Sequence, residues 1–389
     1  MKVLYDHQIF ESQKFGGVSK YFGELIFNSG SMDEVNNDIS ILHSDNGYLK
    51  SLETNNFLPL PQRPLSYNDN SDNSYSIVKR FFDRFFYLKK LAKCYKENKE
   101  ESIQKIITQN FDVFHPTYYD DYFLKHIKNK PFVLTVHDLT HQIFPEYFSP
   151  KWIDKSKEML ENARRIIVVS ENTKKDLMDF YDIKDNKIDV VYLASSILEG
   201  AVMNLSVNMP PNMEKYLLYI GSRASYKNFY FFVQAIVPLF REDKGLYLLC
   251  TGDKFSEEEL FFFAKLGIAA NIKHIYATED ELPYIYQNAV AFVYPSLYEG
   301  FGMPILEAFA CGCPVICSQA SSFPEIAGPA AIYFEPKNKQ SIYKAVYSML
   351  NDNVLRTAMI VKGFLQLEKF SWLNTAAQTR EVYSKAIAE

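Results

Sequence analysis

Short apolar segments that read as strands alternate with helix-length segments along this chain, and the alternation runs twice. The first series begins at residues 2–6 and continues to residue 192, and the second runs from residues 216–220 to residue 334. Alternating strands and helices are typical of βαβ units, in which the strands of a sheet are parallel. The sequence therefore predicts an α/β protein with two successive parallel sheets.

The segment between the two series reads as a linker. Residues 199–214 carry Pro210 and Pro211 and show little periodicity, as expected of a boundary between domains. A length of 389 residues also suits two domains better than one. We therefore expect domains over residues 1–200 and 201–370, followed by a separate terminal segment at 371–389.

Composition excludes several classes of protein. Net charge is −5, from 42 Lys and Arg against 47 Asp and Glu, so the chain has no overall attraction to nucleic acid. Asp6, His7 and Glu11 interrupt any apolar leader, and no stretch approaches the length of a membrane span. We expect a cytoplasmic protein with reduced thiols and no nucleic-acid partner.

Residues 77–99 depart from the average composition. They form a predicted helix with eight Lys and Arg against Asp83 and Glu97, a net charge of +6, and an aromatic apolar side. One interpretation is a helix on an anionic membrane surface, making the protein peripheral at the inner membrane face. The other, slightly favoured, is an amphipathic helix packed on its own domain with a solvated basic face.

A glycine-rich segment beginning at Glu299 carries the most chemical information. Gly300 and Gly302 let the backbone approach a ligand closely, and Pro304 suits the first turn of a helix. The free amides at that helix start, together with the helix dipole, suit a phosphate group. Glu299 and Glu307 flank the helix start, where their carboxylates can accept hydrogen bonds from sugar or ribose hydroxyls.

Read in full, Glu299–Ala308 is Glu-Gly-Phe-Gly-Met-Pro-Ile-Leu-Glu-Ala, which resembles the signature of the retaining glycosyltransferases of family four. The resemblance implies the GT-B fold, in which two Rossmann-like domains face each other across a cleft. It further implies that residues 371–389 form a helix that crosses back to the first domain. Other segments that resemble the family are Gly16–Gly17, Val136–Asp138, Val169–Thr173, Tyr219–Asn228 and Ser371–Trp372.

The resemblance also implies roles for individual residues. Glu307 would bind the ribose of a nucleotide, and Glu299 the hydroxyls of the donor sugar. Arg223 and Lys227 would neutralise the diphosphate; Tyr226 stands where the family often has the arginine, so Arg223 is its expected substitute. Gly17 would approach the diphosphate, and His137 would lie beside the transferred sugar. The sugar and phosphate would also contact the backbone of Phe301, Gly302, Met303 and Pro304.

No metal site is predicted. Transferases that use a metal hold it with an Asp-x-Asp pair, and the sequence contains none. Cys311, Cys313 and Cys317 could be read as a metal cluster, but Gly312 and a predicted buried strand favour apolar packing. We expect arginine, lysine and the helix start to meet the charge of the leaving diphosphate instead.

The resemblance thus predicts a retaining hexosyltransferase acting on a glycan or glycolipid in surface polysaccharide or lipopolysaccharide biosynthesis. The order Gly-Ser-Arg-x-x-Tyr-Lys-Asn at residues 221–228 looks most like members that are often mannosyltransferases, so GDP-mannose is the first expected donor and a UDP-hexose the second. An epimerase or phosphorylase of the same fold is disfavoured by the Glu299–Glu307 pattern. A catalytically silent protein that binds glycan or scaffolds an assembly is the alternative from another class.

Overall fold

The computed structural model describes residues 1–32, 34–54, 77–148, 150–197, 207, 209–211, 213–223 and 225–389, without the side chains of residues 53–54, 77–87 and 150–155. Within these residues the strands are β1 Lys2–Tyr5, β2 Asn36–Ile39, β3 Val113–His115, β4 Val133–Val136, β5 Arg165–Val168, β6 Ile188–Val190, β7 Lys215–Tyr219, β8 Leu246–Cys250, β9 Ile272–His274, β10 Ala291–Tyr294, β11 Val315–Ser318 and β12 Ala331–Phe334.

Helices connect these strands on both faces of each sheet. In chain order they are α1 Gln8–Ser12, α2 Gly17–Gly30, α3 Gly47–Thr54, α4 Ile77–Thr108, α5 Thr140–Ile143, α6 Pro150–Asn162, α7 Glu171–Phe180, α8 Phe229–Glu242, α9 Glu257–Leu266, α10 Leu282–Gln287, α11 Met303–Ala310, α12 Phe323–Ala327, α13 Lys339–Asn351, α14 Asn353–Leu367 and α15 Trp372–Ala388.

Both sheets are parallel, as the alternation predicts. The first has the order β2-β1-β3, and a parallel bridge between Phe114 and Phe132 places β4-β5-β6 beside β3. The second has the order β12-β11-β10-β7-β8-β9, so the strand order reverses between β10 and β7. The inner strands β10 and β11 are buried along their whole length, whereas the edge strands β2 and β9 have one buried residue each, as expected of sheets that are covered on two faces and end at their edges.

Two edge strands end level with their neighbours. β2 ends at Ile39, which pairs with Tyr5, the last residue of β1. β9 ends at His274, opposite Cys250, the last residue of β8. The expected boundary near residue 200 lies outside the described residues.

The helix expected at residues 77–99 is longer than predicted, because the buried four-residue spacing continues to Ile106. The residues of that inward face are Cys94, Asn98, Ser102 and Ile106. Lys89, Lys90, Lys93 and Lys96 are exposed, while the side chains of residues 81–87 lie outside the described residues. The described half of α4 therefore packs on its own domain, and membrane contact stays a prediction. Nowhere in the described ranges does a helix combine the length and apolar character of a membrane span.

The terminal helix α15 packs on the first domain, against α2 and β5. The Tyr383 hydroxyl lies 3.0 Å from the hydroxyl of Tyr5 and 2.7 Å from Nδ1 of His115, and all three groups are buried. Near the start of the helix, the Thr375 hydroxyl donates to the Tyr192 carbonyl at 2.7 Å. The helix thus completes the core of the domain that lies furthest from it in sequence.

Candidate active site

Two loops of the second domain meet at the carboxyl ends of β7 and β10. These strands are neighbours, with Ala291 opposite Leu217, although they are separated by β8 and β9 in the chain. The loop after β7 ends in a single 3-10 turn over Ser225–Lys227, and the loop after β10 leads through Glu299 to α11. Open α/β sheets bind ligands where the strand order reverses in this way.

Gly302 gives α11 its starting geometry. Its φ of +104° is a conformation that favours glycine, and a β-carbon there would also lie 3.2 Å from the Phe323 ring. Pro304 occupies the first turn of α11, where its missing amide costs no hydrogen bond. The first turn of α11 thus has the geometry that the sequence predicts, and anion binding at this helix start stays a prediction.

Lys227 and Glu299 form an ion pair beside this helix start. Lys227 Nζ lies 2.6 Å from Glu299 Oε1, and the side chains are 18% and 14% exposed. Burial by itself would lower the pKa of Lys227, but the negative charge of Glu299 more than offsets it and the pKa is raised. Lys227 therefore carries a positive charge at neutral pH at the edge of the site.

Glu307 is bound by a lysine of the opposite domain. Lys20 Nζ lies 3.1 Å from Glu307 Oε1, and both side chains are 10% exposed. The Tyr286 hydroxyl donates to the other carboxylate oxygen at 3.2 Å. Burial acts to lower the pKa of Lys20, and the charge of Glu307 reverses this to a net rise. The ion pair links the two domains across the site.

The glycines on either side of the site allow the domains to touch. Gly17 begins α2, and a β-carbon on it would lie 3.1 Å from Met303 Cε of the other domain. The contact at Gly300 is tighter, since a β-carbon would lie 1.7 Å from the backbone oxygen of His137. The Ser170 hydroxyl, the N-cap of α7, donates to the Gly300 carbonyl at 2.6 Å.

We expect Gly300→Ala to lower kcat about tenfold while the free energy of unfolding of each domain is little changed. The added methyl group meets a backbone oxygen that cannot rotate away, and overpacking of about 1–3 kcal/mol is relieved when the domains separate. Steady-state kinetics measures kcat, and small-angle scattering with bound nucleotide measures how far the domains separate. The control is Gly245→Ala, where the nearest atom is a side-chain oxygen of Asp243 at 3.3 Å. A compact variant with normal kcat would contradict the contact.

His137 directly follows β4 and faces the same site. Burial lowers the pKa of its ring to about 4, and the neighbouring charge of Asp138 offsets only part of this shift. Its Nε2 atom is buried and has no hydrogen-bond partner among the described residues. The ring is therefore neutral at pH 7, with a polar atom able to meet a ligand hydroxyl.

Arg223 lies apart from the Lys227–Glu299 pair. Its guanidinium is held by the Glu259 carboxylate and by the Asp253 carbonyl, which Nη2 reaches at 2.8 Å. Nη1 is buried without a hydrogen-bond partner in the described part of the chain. The structure thus places Arg223 against α9, and its role at a diphosphate stays a prediction.

A cavity of about 490 Å³ lies between the domains; we call it the donor cleft. Among the cleft residues that were not predicted from the sequence are Lys20, Tyr48 and Glu279. The Tyr48 hydroxyl donates to the Glu279 carboxylate. The one sequence signal for Lys20 as a cleft residue was its position one helical turn after Gly17, a predicted site residue. The predicted site residues that line the cleft are Gly17, His137, Glu299, Phe301, Gly302, Met303, Pro304 and Glu307.

Metal-ligating side chains converge elsewhere. In the described ranges, one trio of ligand atoms within 4.8 Å of one another comes from His43, Cys94 and Glu97, none of which lines the donor cleft. His43 Nε2 lies 2.6 Å from Glu97 Oε2, so these two groups form a hydrogen-bonded pair. The cysteines predicted to pack in the core are all buried and free: Cys311, Cys313 and Cys317.

Comparison with known proteins agrees with this geometry. Residues 206–365 match the family described as Glycosyl transferases group 1, and residues 64–194 match Glycosyltransferase Family 4. O-antigen chain mannosyltransferase B of Escherichia coli is 32% identical over 266 residues, covering 64% of this chain and 69% of that protein. The serotype-specific mannosyltransferase WbdA of Escherichia coli is 26% identical over 241 residues, covering 58% of this chain and 29% of that protein.

The fold is shared with solved structures over nearly the whole chain. HepE of Anabaena, in complex with UDP and glucose, superposes with a TM-score of 0.69 at 16% identity, covering 98% of this chain and 99% of that one. At this identity the likeness shows the fold alone. Taken with the family matches and the identity to mannosyltransferase B, it shows that the chain belongs to the group 1 glycosyltransferases of the GT-B fold, which transfer glycosyl groups.

Proposed function

We propose that this protein is a retaining hexosyltransferase that uses a nucleotide-sugar donor and a hydroxyl of a glycan or glycolipid as acceptor. The proposal depends on two ion pairs near the start of α11: Lys227 with Glu299, and Lys20 with Glu307. A cation and free amides suit a diphosphate, and carboxylates suit the hydroxyls of its two sugars. The UDP named with HepE supports a nucleotide ligand.

In the proposed reaction, the bond between the donor C1 atom and the diphosphate oxygen breaks. The acceptor oxygen bonds to C1 on the same face of the sugar, and its proton passes to the departing phosphate oxygen. Lys227 and the first-turn amides of α11 stabilise the charge that develops on the diphosphate. The leaving group acts as the base, and we propose that no metal is essential.

We propose GDP-mannose as the donor, for O-antigen or related polysaccharide synthesis. The Glu279 carboxylate lines the donor cleft. Guanine presents two adjacent N–H donors that a carboxylate can accept together, whereas uracil presents one N–H between two carbonyl oxygens that repel it. Relatives named as O-antigen and serotype-specific mannosyltransferases support the mannosyl group. A UDP-hexose remains the second donor.

Thermal unfolding with GDP, GDP-mannose, UDP and UDP-glucose tests this choice. We expect the guanine nucleotides to stabilise the protein by about 2.7 kcal/mol at a hundred times Kd, and Glu279→Gln to reduce that shift because the carboxamide has one acceptor atom. Asp280→Asn is the neighbouring control. Stabilisation by the uridine nucleotides alone would identify a UDP-hexose donor. No shift and no donor hydrolysis with any nucleotide would favour a catalytically silent protein.

A further inference from the structure

A second cavity of about 290 Å³ opens beside the donor cleft. Its walls are aromatic, and it is called here the aromatic chamber, lined by Tyr118, Tyr119, Phe148 and Tyr226 together with Asp138 and His141. His137 and Asp138 line both the chamber and the donor cleft. A molecule in the chamber therefore lies next to a molecule in the cleft.

Both domains build the chamber. Tyr118 and Tyr119 belong to the loop after β3, with their ring centroids 5.2 Å apart. Tyr226 comes from the second domain, and its ring stacks on Phe144 of the first domain at 5.8 Å. Tyr226 is also the residue that replaces the arginine often found before the lysine in this family. This chain thus presents a ring where the resemblance implies a positive charge.

The charge inside the chamber is negative. Among the described residues, no lysine or arginine lines the cavity and Asp138 is its one carboxylate. Asp138 is fixed by the Thr140 amide, which donates to Oδ1 at 2.9 Å. Burial lowers the pKa of His141 and of His137, although Asp138 offsets part of each shift, so neither ring brings a positive charge at neutral pH. Lys227 Nζ lies 5.1 Å from the centroid of the Tyr226 ring but is paired with Glu299. The chamber therefore offers an anion no lining cation of its own, while hydroxyl groups can donate to Asp138.

We propose that the aromatic chamber binds the terminal, uncharged hexose of an acceptor glycan, with its C–H face against the tyrosine rings and its hydroxyls donating to Asp138. This inference rests on the proposed function. The volume is near the lower end of about 300–1,000 Å³ for small-molecule sites, which suits one sugar ring. One hydroxyl of that hexose bonds to the donor C1 atom as the C1–diphosphate bond breaks, and its proton leaves on the phosphate oxygen.

The test compares acceptors. Transfer from the donor found by thermal unfolding is followed by mass spectrometry, with octyl glycosides of mannose, glucose, galactose and N-acetylglucosamine as neutral probes and the matching hexose 6-phosphates as anionic probes. We expect transfer to at least one octyl glycoside and to none of the phosphates. Transfer to the phosphates alone, or to no neutral glycoside while donor binding is intact, would overturn the inference and leave the proposed function standing.

Variants of the chamber locate the acceptor. Tyr118→Ala should raise the KM for the octyl glycoside about tenfold, since an aromatic contact is lost, whereas Tyr118→Phe keeps the ring and should restore KM. Asp138→Asn should raise KM as well. Tyr118 does not line the donor cleft, so the nucleotide shift in thermal unfolding reports separately on the donor. Tyr347→Ala, on the exposed face of α13, is the matched control. An unchanged KM in both Tyr118→Ala and Asp138→Asn would refute the chamber as the acceptor site.

Discussion

Lys227→Met is expected to lower kcat about a thousandfold while the protein stays folded. The ammonium of Lys227 lies 2.6 Å from Glu299, which stands four residues before the start of α11. Methionine keeps the length of the side chain and removes the charge that would stabilise the departing diphosphate. Steady-state transfer and donor hydrolysis both measure the effect, because both reactions break the same C1–oxygen bond.

Lys215→Met is the matched control for this experiment. Lys215 lies on β7 in the same domain and pairs with Asp243 at 2.9 Å, but both side chains are more than one-third exposed. The same chemical change there should leave kcat intact, since exposed pairs contribute little. If Lys227→Met kept kcat within about threefold of the wild type, another cation would have to serve the diphosphate. The candidates are Lys20, which lines the donor cleft, and Arg223, and each would have to leave its carboxylate partner.

Glu307→Ala is expected to raise the Kd of the donor nucleotide about a hundredfold. Hydrogen bonds to a charged group are worth about 1.5–3 kcal/mol each, and the substitution removes the carboxylate proposed to bind the ribose hydroxyls. It also leaves Lys20 in the closed cleft without its partner, which favours separation of the domains. Isothermal titration with the nucleotide measures the affinity.

The double variant Lys20→Met with Glu307→Ala separates these two causes. Removing Lys20 as well relieves the unpaired charge, so closure should recover, as measured by small-angle scattering. Nucleotide affinity should remain low because the ribose contact is still missing. Full recovery of affinity in the double variant would show that Glu307 serves only to neutralise Lys20, and the assignment to ribose would be wrong.

The helix start at Gly302 could be predicted from sequence because its determinants are local. Glycine at a positive φ and proline in the first turn act over a few residues, and α11 begins at Met303 as they require. The same holds for Ser170, the N-cap of α7, whose hydroxyl accepts from the Thr173 amide. The second bond of Ser170, to the Gly300 carbonyl, depends on how the domains meet, and no local pattern encodes it.

The contacts that the sequence did not reveal are those between side chains far apart in the chain. Lys20 and Glu307 are separated by 287 positions, and the position of Lys20 one turn after Gly17 does not indicate that it binds Glu307. Arg223 was expected at the diphosphate, but Glu259 binds it after one helix and one strand have intervened. In both cases tertiary packing, and not the spacing of residues along the sequence, brings the charged side chain to its partner.

The packing of α15 also sets an order for biosynthesis. Tyr5 and His115 emerge from the ribosome early, yet the hydroxyl that joins them belongs to Tyr383, 378 positions after Tyr5. Domains generally fold as units while the chain is made, the N-terminal one first. We therefore expect the first domain to keep an uncovered apolar face until α15 has been synthesised, and the second domain to be able to fold before it. The domain made first is thus the last to be completed.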